Sequence, residues 1–113
     1  MIQKISIVRG TTQSLEISVS DSDGQIFAPQ GGDKLVFGVK SNPNSTVYDI
    51  FKTLTSDNFS DGKYLLELTP EDTAGLAIVP FWYDVGLQRG DDYYIIIEKS
   101  PFELAQNITT KEG

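Results

Sequence analysis

Apolar and polar residues alternate along most of this chain. In the run at 14–20, Leu15, Ile17 and Val19 fall on one face and the polar residues fall on the other. A period of two is typical of a half-buried β-strand. The same alternation in other runs predicts strands whose inward residues are Ile5 and Ile7; Leu35, Phe37 and Val39; Tyr64, Leu66 and Leu68; and Phe81, Tyr83, Val85 and Leu87.

Three more segments complete the predicted strands. Those at 47–54 and 92–99 are rich in β-branched and aromatic residues, and the segment 102–109 is a short terminal strand. About eight short strands result, with turn signals every eight to twelve residues or so, which indicates an antiparallel sandwich or a small barrel. A chain of 113 residues holds one hydrophobic core, so residues 1–113 are expected to form a single domain.

The acidic string "DSDG" at 21–24 has two possible interpretations. Gly24 and the aspartates suit a tight turn. A calcium loop is the alternative, but an EF-hand needs ligands at five or more set positions that end in a glutamate, and here apolar residues follow. We therefore predict a turn.

The string "TPEDTAGL" at 69–76 predicts one short helical turn at residues 70–76. Thr69 suits the N-cap, Pro70 suits the first helical position, and the following acids favour the positive end of the helix dipole. Gly75 is expected to end the helix in a left-handed conformation. Catalysis by Glu71 and Asp72 is the rival interpretation, but adjacent helical side chains point about 100° apart and cannot converge on one bond.

The hairpin at 81–99 has more apolar residues than one buried face requires. If Phe81 points inward, Trp82 emerges on the solvent side. Its partner strand has apolar residues at both alternating sets of positions, and one set must face outward. The outward set is therefore either Tyr93, Ile95 and Ile97 or Tyr94 and Ile96. A loop or the terminal segment from Phe102 covers this face in one interpretation, and another subunit covers it in the other. The "RGD" at 89–91 is predicted to be the hairpin turn, with Gly90 at positive φ, and not an adhesion motif.

Composition and charge exclude several classes of function. The chain has no cysteine and no histidine, which removes disulfides, thiolate nucleophiles and the common zinc ligands. With 16 acidic and 9 basic residues and no basic cluster, it is expected to bind neither nucleic acid nor membrane. No catalytic, cofactor or metal site is predicted, and no cofactor. The alternating N-terminus does not resemble a signal peptide, so synthesis and retention in a cytosol are expected.

The order of several strings resembles that of a phage structural family, the small immunoglobulin-like β-sandwiches of baseplate upper proteins and related tail or neck components. The matching strings are "RGTTQSLEISVSDSDG", "KLVFGVK", "GKYLLELTPEDTAGL", "FWYDVGLQRGDDYYIII" and "FELAQNIT". The resemblance implies an all-β, immunoglobulin-like antiparallel β-sandwich of about seven to eight strands. It also implies a non-enzymatic virion subunit, made in a bacterial host cytoplasm from a phage or prophage gene, that assembles with other virion proteins or with itself.

These observations lead to one main functional hypothesis and two alternatives. The main hypothesis is a virion structural subunit of the tail, baseplate or neck that acts through protein–protein assembly. The first alternative is a carbohydrate- or peptide-binding module that uses aromatic side chains, and the second is an enzyme that uses only carboxylates. The predicted partner interface consists of Trp82, Tyr93, Tyr94, Ile95 and Ile97.

Overall fold

The computed structural model describes residues 4–19 and 29–112, and they form an all-β sandwich. The predicted turn at 21–24 lies outside the described residues. Within them are eight strands, one short helix, α1, and a 3-10 turn at Ser56–Asn58. The strands are β1 (Ile5–Val8), β2 (Gln13–Ser18), β3 (Lys34–Lys40), β4 (Ile50–Leu54), β5 (Phe59–Ser60), β6 (Lys63–Leu68), β7 (Phe81–Arg89) and β8 (Asp92–Ala105), and α1 is Pro70–Ala74.

The strands form two sheets with an immunoglobulin-like order. One sheet has five strands in the order β1-β8-β7-β3-β4, and the other has three in the order β2-β6-β5. The strands β2, β6 and β5 correspond to B, E and D of the immunoglobulin fold, and β4, β3, β7 and β8 correspond to C′, C, F and G. The predicted fold class is confirmed. Every pairing is antiparallel except that of β1 with β8, which is parallel.

The core lies between the two sheets and follows the predicted alternation. The inward residues of β3, β6 and β7 are all buried. Phe37 and Phe102 are almost fully inaccessible and lie 6.4 Å apart between ring centroids, in an edge-on arrangement that aromatic pairs prefer. Leu15 and Ile5 are only partly buried and pack against the edge of this core.

Three strand boundaries differ from the prediction. The predicted strands at 92–99 and 102–109 form one continuous strand, β8, which ends at Ala105. Pro101 lies inside it, next to an irregularity in its pairing with β7, a place where a strand tolerates proline. The predicted strand at 47–54 begins only at Ile50, and the short strand Phe59–Ser60, which lies outside every predicted strand, pairs with β6.

The helix α1 has a structural role at the corner between the sheets. The Asp72 carboxylate accepts a hydrogen bond of 2.7 Å from the Thr69 N–H and forms an ion pair of 3.0 Å with Lys52. The buried Thr73 hydroxyl accepts a hydrogen bond of 2.7 Å from the Gly10 N–H, which joins the corner to the turn after β1. Gly75 ends the helix at φ −89°, so the predicted left-handed conformation was wrong. The Leu76 N–H closes the last turn on the Thr73 carbonyl instead.

The segment after β8 returns towards this corner. The Arg9 guanidinium donates a hydrogen bond of 2.9 Å to the Asn107 side-chain oxygen and one of 3.0 Å to the Leu76 carbonyl. Phe102 and Leu104 belong to the core between the sheets. The terminal segment from Phe102 therefore does not fold over the solvent side of β7, which leaves a loop as the cover within the chain that the first interpretation allowed.

An ion pair between Arg89 and the buried Asp33 anchors the hairpin between β7 and β8. Arg89 donates to both carboxylate oxygens of Asp33, at 3.0 Å and 2.6 Å, and Asp33 is 3% exposed. These hydrogen bonds, with one from the Gln30 N–H, hold the pKa of Asp33 below its ordinary value of 3.8, although burial acts in the opposite direction. Gly90 has φ 58° in a two-residue turn, as predicted. Because Arg89 is held by Asp33, the "RGD" string is a structural hairpin.

We predict that Asp33→Asn lowers the free energy of unfolding at pH 7 by about 1–3 kcal/mol, because it removes the charged acceptor that Asp33 provides to Arg89 and to the Gln30 N–H. The lowered pKa of Asp33 stabilises the folded state above pH 3.8, and this contribution is lost as the pH falls through the lower folded-state pKa. Denaturant unfolding from pH 7 to pH 2 should therefore show the variant and the wild type converging in acid.

Glu103→Gln is the matched control, since its ion pair with Lys4 is more than half exposed on both sides and such pairs contribute little. An equal loss in the two variants would contradict the structural role of Asp33.

Candidate functional site: the outer face of the five-stranded sheet

The outer face is the side of the five-stranded sheet that is directed away from the three-stranded sheet. On β7 the predicted alternation is confirmed: the inward residues are buried, and Trp82 and Asp84 are half-buried on the outer side. The register of β3 with β7 places Lys40 opposite Trp82 and Gly38 opposite Asp84. Directly opposite residues of an antiparallel pair share a face, so these four belong to the outer face.

A β-bulge in β8 decides where the predicted interface residues lie. Ile95 is opposite Gly86 and Ile97 is opposite Val85, so Ile96 is an extra residue without a partner on β7. In a regular strand Ile95 and Ile97 would share a face, but the extra residue turns them to opposite faces. Ile95 is 50% exposed, whereas Ile97 is 7% exposed and belongs to the core. The prediction that Ile97 belongs to the interface was therefore wrong.

A second irregularity follows further along the same pair. Tyr83 is opposite Ser100, so two residues, Glu98 and Lys99, occupy the space opposite the single Asp84. This widening brings the Lys99 ammonium to 5.1 Å from the centre of the Trp82 ring, within the range of a cation–π contact.

The two exposed tyrosines of β8 lie on different sides of the sheet. Tyr93 is opposite Gln88 and belongs to the outer face, whereas Tyr94 is opposite the inward Leu87. Tyr94 still has 51% of its surface exposed, because it lies near the hairpin turn. The structure thus brings Trp82, Tyr93 and Ile95 together and separates Tyr94 from them, so neither predicted alternative for this strand holds throughout.

Two glycines allow tyrosine rings to lie on the outer face. A Cβ atom at Gly38 would come within 2.7 Å of the Tyr48 ring, and one at Gly86 would collide with the Tyr93 hydroxyl. Both glycines are buried beneath these rings. Glycine inside a central strand often marks such a close approach.

Tyr48 was not among the predicted site residues. It lies in the connection between β3 and β4, where its ring stands 4.7 Å from that of Phe51 and 4.6 Å from the Lys40 ammonium. The sequence signal for it was the pair of glycines, Gly38 and Gly86, at outward positions of two central strands. This connection covers the part of the face near Gly38, so a loop accounts for some of the apolar excess.

Together these side chains surround a shallow concavity of about 250 Å³. Its lining includes Lys40, Tyr48, Trp82, Asp84, Tyr93 and Lys99. Aromatic and charged side chains thus share the lining of this concavity.

Asp84 lies within this concavity without a partner. It forms no hydrogen bond and no ion pair with any residue that the structure describes. Burial raises the pKa of its carboxyl above the ordinary 3.8, and the Lys40 charge offsets part of that effect. Burial and the Asp84 charge likewise raise the pKa of the Tyr93 hydroxyl. A half-buried carboxylate that lacks donors is able to accept hydrogen bonds from a bound molecule.

The described residues offer no sign of a metal centre or of a membrane helix. They contain no group of three or more Asp, Glu, His or Cys side chains that could hold a metal ion. None of their helices is long and apolar enough to cross a membrane.

The chain was also compared with known proteins. No protein-family model matches it, and no curated protein matches it.

We predict that Asp84→Asn raises the free energy of unfolding at pH 7, by a few tenths of a kcal/mol to about 1 kcal/mol, because it removes a charge that is half-buried without donors. Since the folded-state pKa of Asp84 is raised, ionisation disfavours the folded state at neutral pH, and the advantage of the variant should shrink as the pH falls towards 3.8. Denaturant unfolding at pH 7 and pH 3.5 measures both effects. A destabilised variant at pH 7 would contradict this assignment.

Proposed function

We propose that this protein is a non-enzymatic structural subunit of a phage or prophage virion that assembles with other proteins through the outer face. The observation that carries the proposal is the cluster of Trp82, Tyr93 and Ile95 on that face. Tyr93 and Ile95 are each at least half exposed. Tryptophan and tyrosine are enriched at protein interfaces, and an exposed apolar patch with a polar rim is typical of an association surface.

The likeness of the sequence strings to tail and neck components supports the choice of a virion. It suggests that the partner is another virion protein or a second copy of the chain. The negative net charge of −7 acts against contact through most of the surface. On the outer face, Lys40 and Lys99 stand beside Asp84. An apolar face with charges of both signs suits association better than the acidic remainder.

A second candidate function is the binding of a carbohydrate or a peptide. It is favoured by one observation, the concavity around the unpaired Asp84. The acidic corner gives an enzyme no comparable support, since Asp72 accepts a hydrogen bond from the Thr69 N–H and forms an ion pair with Lys52.

We expect Ile95→Asp to weaken association by at least tenfold, about 1.4 kcal/mol, because it introduces a charge into the apolar cluster. Trp82→Ala should act in the same direction. Co-purification with the products of the adjacent genes and light scattering of the protein alone measure the two kinds of association.

Ile108→Asp is the control, since Ile108 is 95% exposed and lies outside the strands. A wild type that is strictly monomeric, binds no adjacent gene product and gains no solubility from Ile95→Asp would overturn the proposal.

A further inference from the structure

We propose that the concavity on the outer face binds a single neutral sugar ring, with Asp84 as the main hydrogen-bond acceptor. This inference rests on the second candidate function and is independent of assembly. Its starting point is that Asp84 is half-buried, has no donor among the described residues, and weakens the folded state in its ionised form. A group that costs stability at a surface concavity is typical of a binding site.

The walls of the concavity are held in place by the sheet. The ring of Tyr48 lies over Gly38 and that of Tyr93 lies over Gly86, so each occupies the space that a Cβ atom would need. Trp82 forms a further wall. Such amphipathic rings accept the apolar C–H surface of a ligand while their polar atoms stay hydrated.

The two lysines provide donors on either side of the carboxylate. The Lys40 ammonium donates a hydrogen bond of 2.6 Å to the Ser45 carbonyl and also lies over the Tyr48 ring. The Lys99 ammonium lies over the Trp82 ring. An ammonium group has three N–H donors, so Lys40 keeps two beyond this bond. A bound hydroxyl could then donate to Asp84 and accept from a lysine.

The charges around the concavity favour a neutral ligand. A cationic ligand would be repelled by the ammonium groups of Lys40 and Lys99. An anionic ligand would be attracted by the two lysines, but it could not donate a hydrogen bond from its charged group to the Asp84 carboxylate and would be repelled by it. A neutral ring with several hydroxyls satisfies both signs. The volume of about 250 Å³ is below the roughly 300–1,000 Å³ of pockets for drug-sized ligands, which indicates one ring.

Trp82 is the single tryptophan of the chain and reports directly on this site. We would titrate the full chain with glucose, galactose, mannose and N-acetylglucosamine, and with their short neutral oligomers, and follow tryptophan fluorescence. Glucuronate and arginine amide serve as charged probes. We expect a saturable change with at least one neutral sugar and none with the charged probes at the same concentrations.

Two pairs of variants test the role of the named residues. Asp84→Asn should weaken sugar binding at least tenfold, whereas Asp57→Asn, the same change in the exposed 3-10 turn, should leave binding unchanged. Gly86→Ala should also weaken binding because it displaces Tyr93, whereas Gly31→Ala adds a methyl group in open space. Since Asp84→Asn is expected to be at least as stable as the wild type, loss of binding cannot be ascribed to unfolding.

The outcomes separate the proposals. Absence of saturable binding of any neutral sugar, or binding that Asp84→Asn leaves intact, overturns the sugar site. Tighter binding of arginine amide than of any sugar also overturns it, while the wider second candidate, a carbohydrate- or peptide-binding module, survives. Association that Ile95→Asp disrupts but Asp84→Asn does not would leave the assembly role standing in either case.

Discussion

The pairing of β7 with β8 determines most of what this domain presents to its surroundings. Every inward residue of β7 faces the core in strict alternation, so β7 is the fixed reference. Its partner β8 has extra residues at two irregularities in the pairing. These extra residues change the face of the sheet to which the following side chains of β8 point. Backbone geometry, and not side-chain hydrophobicity, therefore decides that Ile95 meets solvent while Ile97 joins the core.

Two aspartates show how local surroundings give one residue type opposite roles. Asp33 is almost fully buried, yet Arg89 and a backbone N–H surround it with donors, and its pKa falls. Asp84 is less buried but has no donor, and its pKa rises. Hydrogen bonding outweighs burial in the first case, and burial outweighs the Lys40 charge in the second. The first carboxylate belongs to the framework, and the second remains available to a ligand.

The alternation of the sequence was sufficient to predict the all-β class, the inward residues of five strands and the outward position of Trp82. The cap signals around Thr69 likewise predicted α1, because capping depends on neighbours within one turn. The face to which each residue of β8 points could not be predicted, because the bulge depends on how β8 pairs with β7 and not on the local sequence pattern. An apolar run such as residues 93–97 fits either face. Tyr48 was missed for a similar reason: its contact with Gly38 depends on the path of a loop, which local propensity does not specify.

The parallel pairing of the first described strand with the last one has a mechanical consequence. Residues Ile5 to Val8 run alongside Phe102 to Ala105 in the same direction, and the Arg9 N–H donates to the Ala105 carbonyl at the end of the pair. A pull on the chain before Ile5 and after Ala105 would therefore load these hydrogen bonds together, in shear, and not one after another as in the opening of a hairpin. A domain under tension along its chain would resist extension through this short pair of strands.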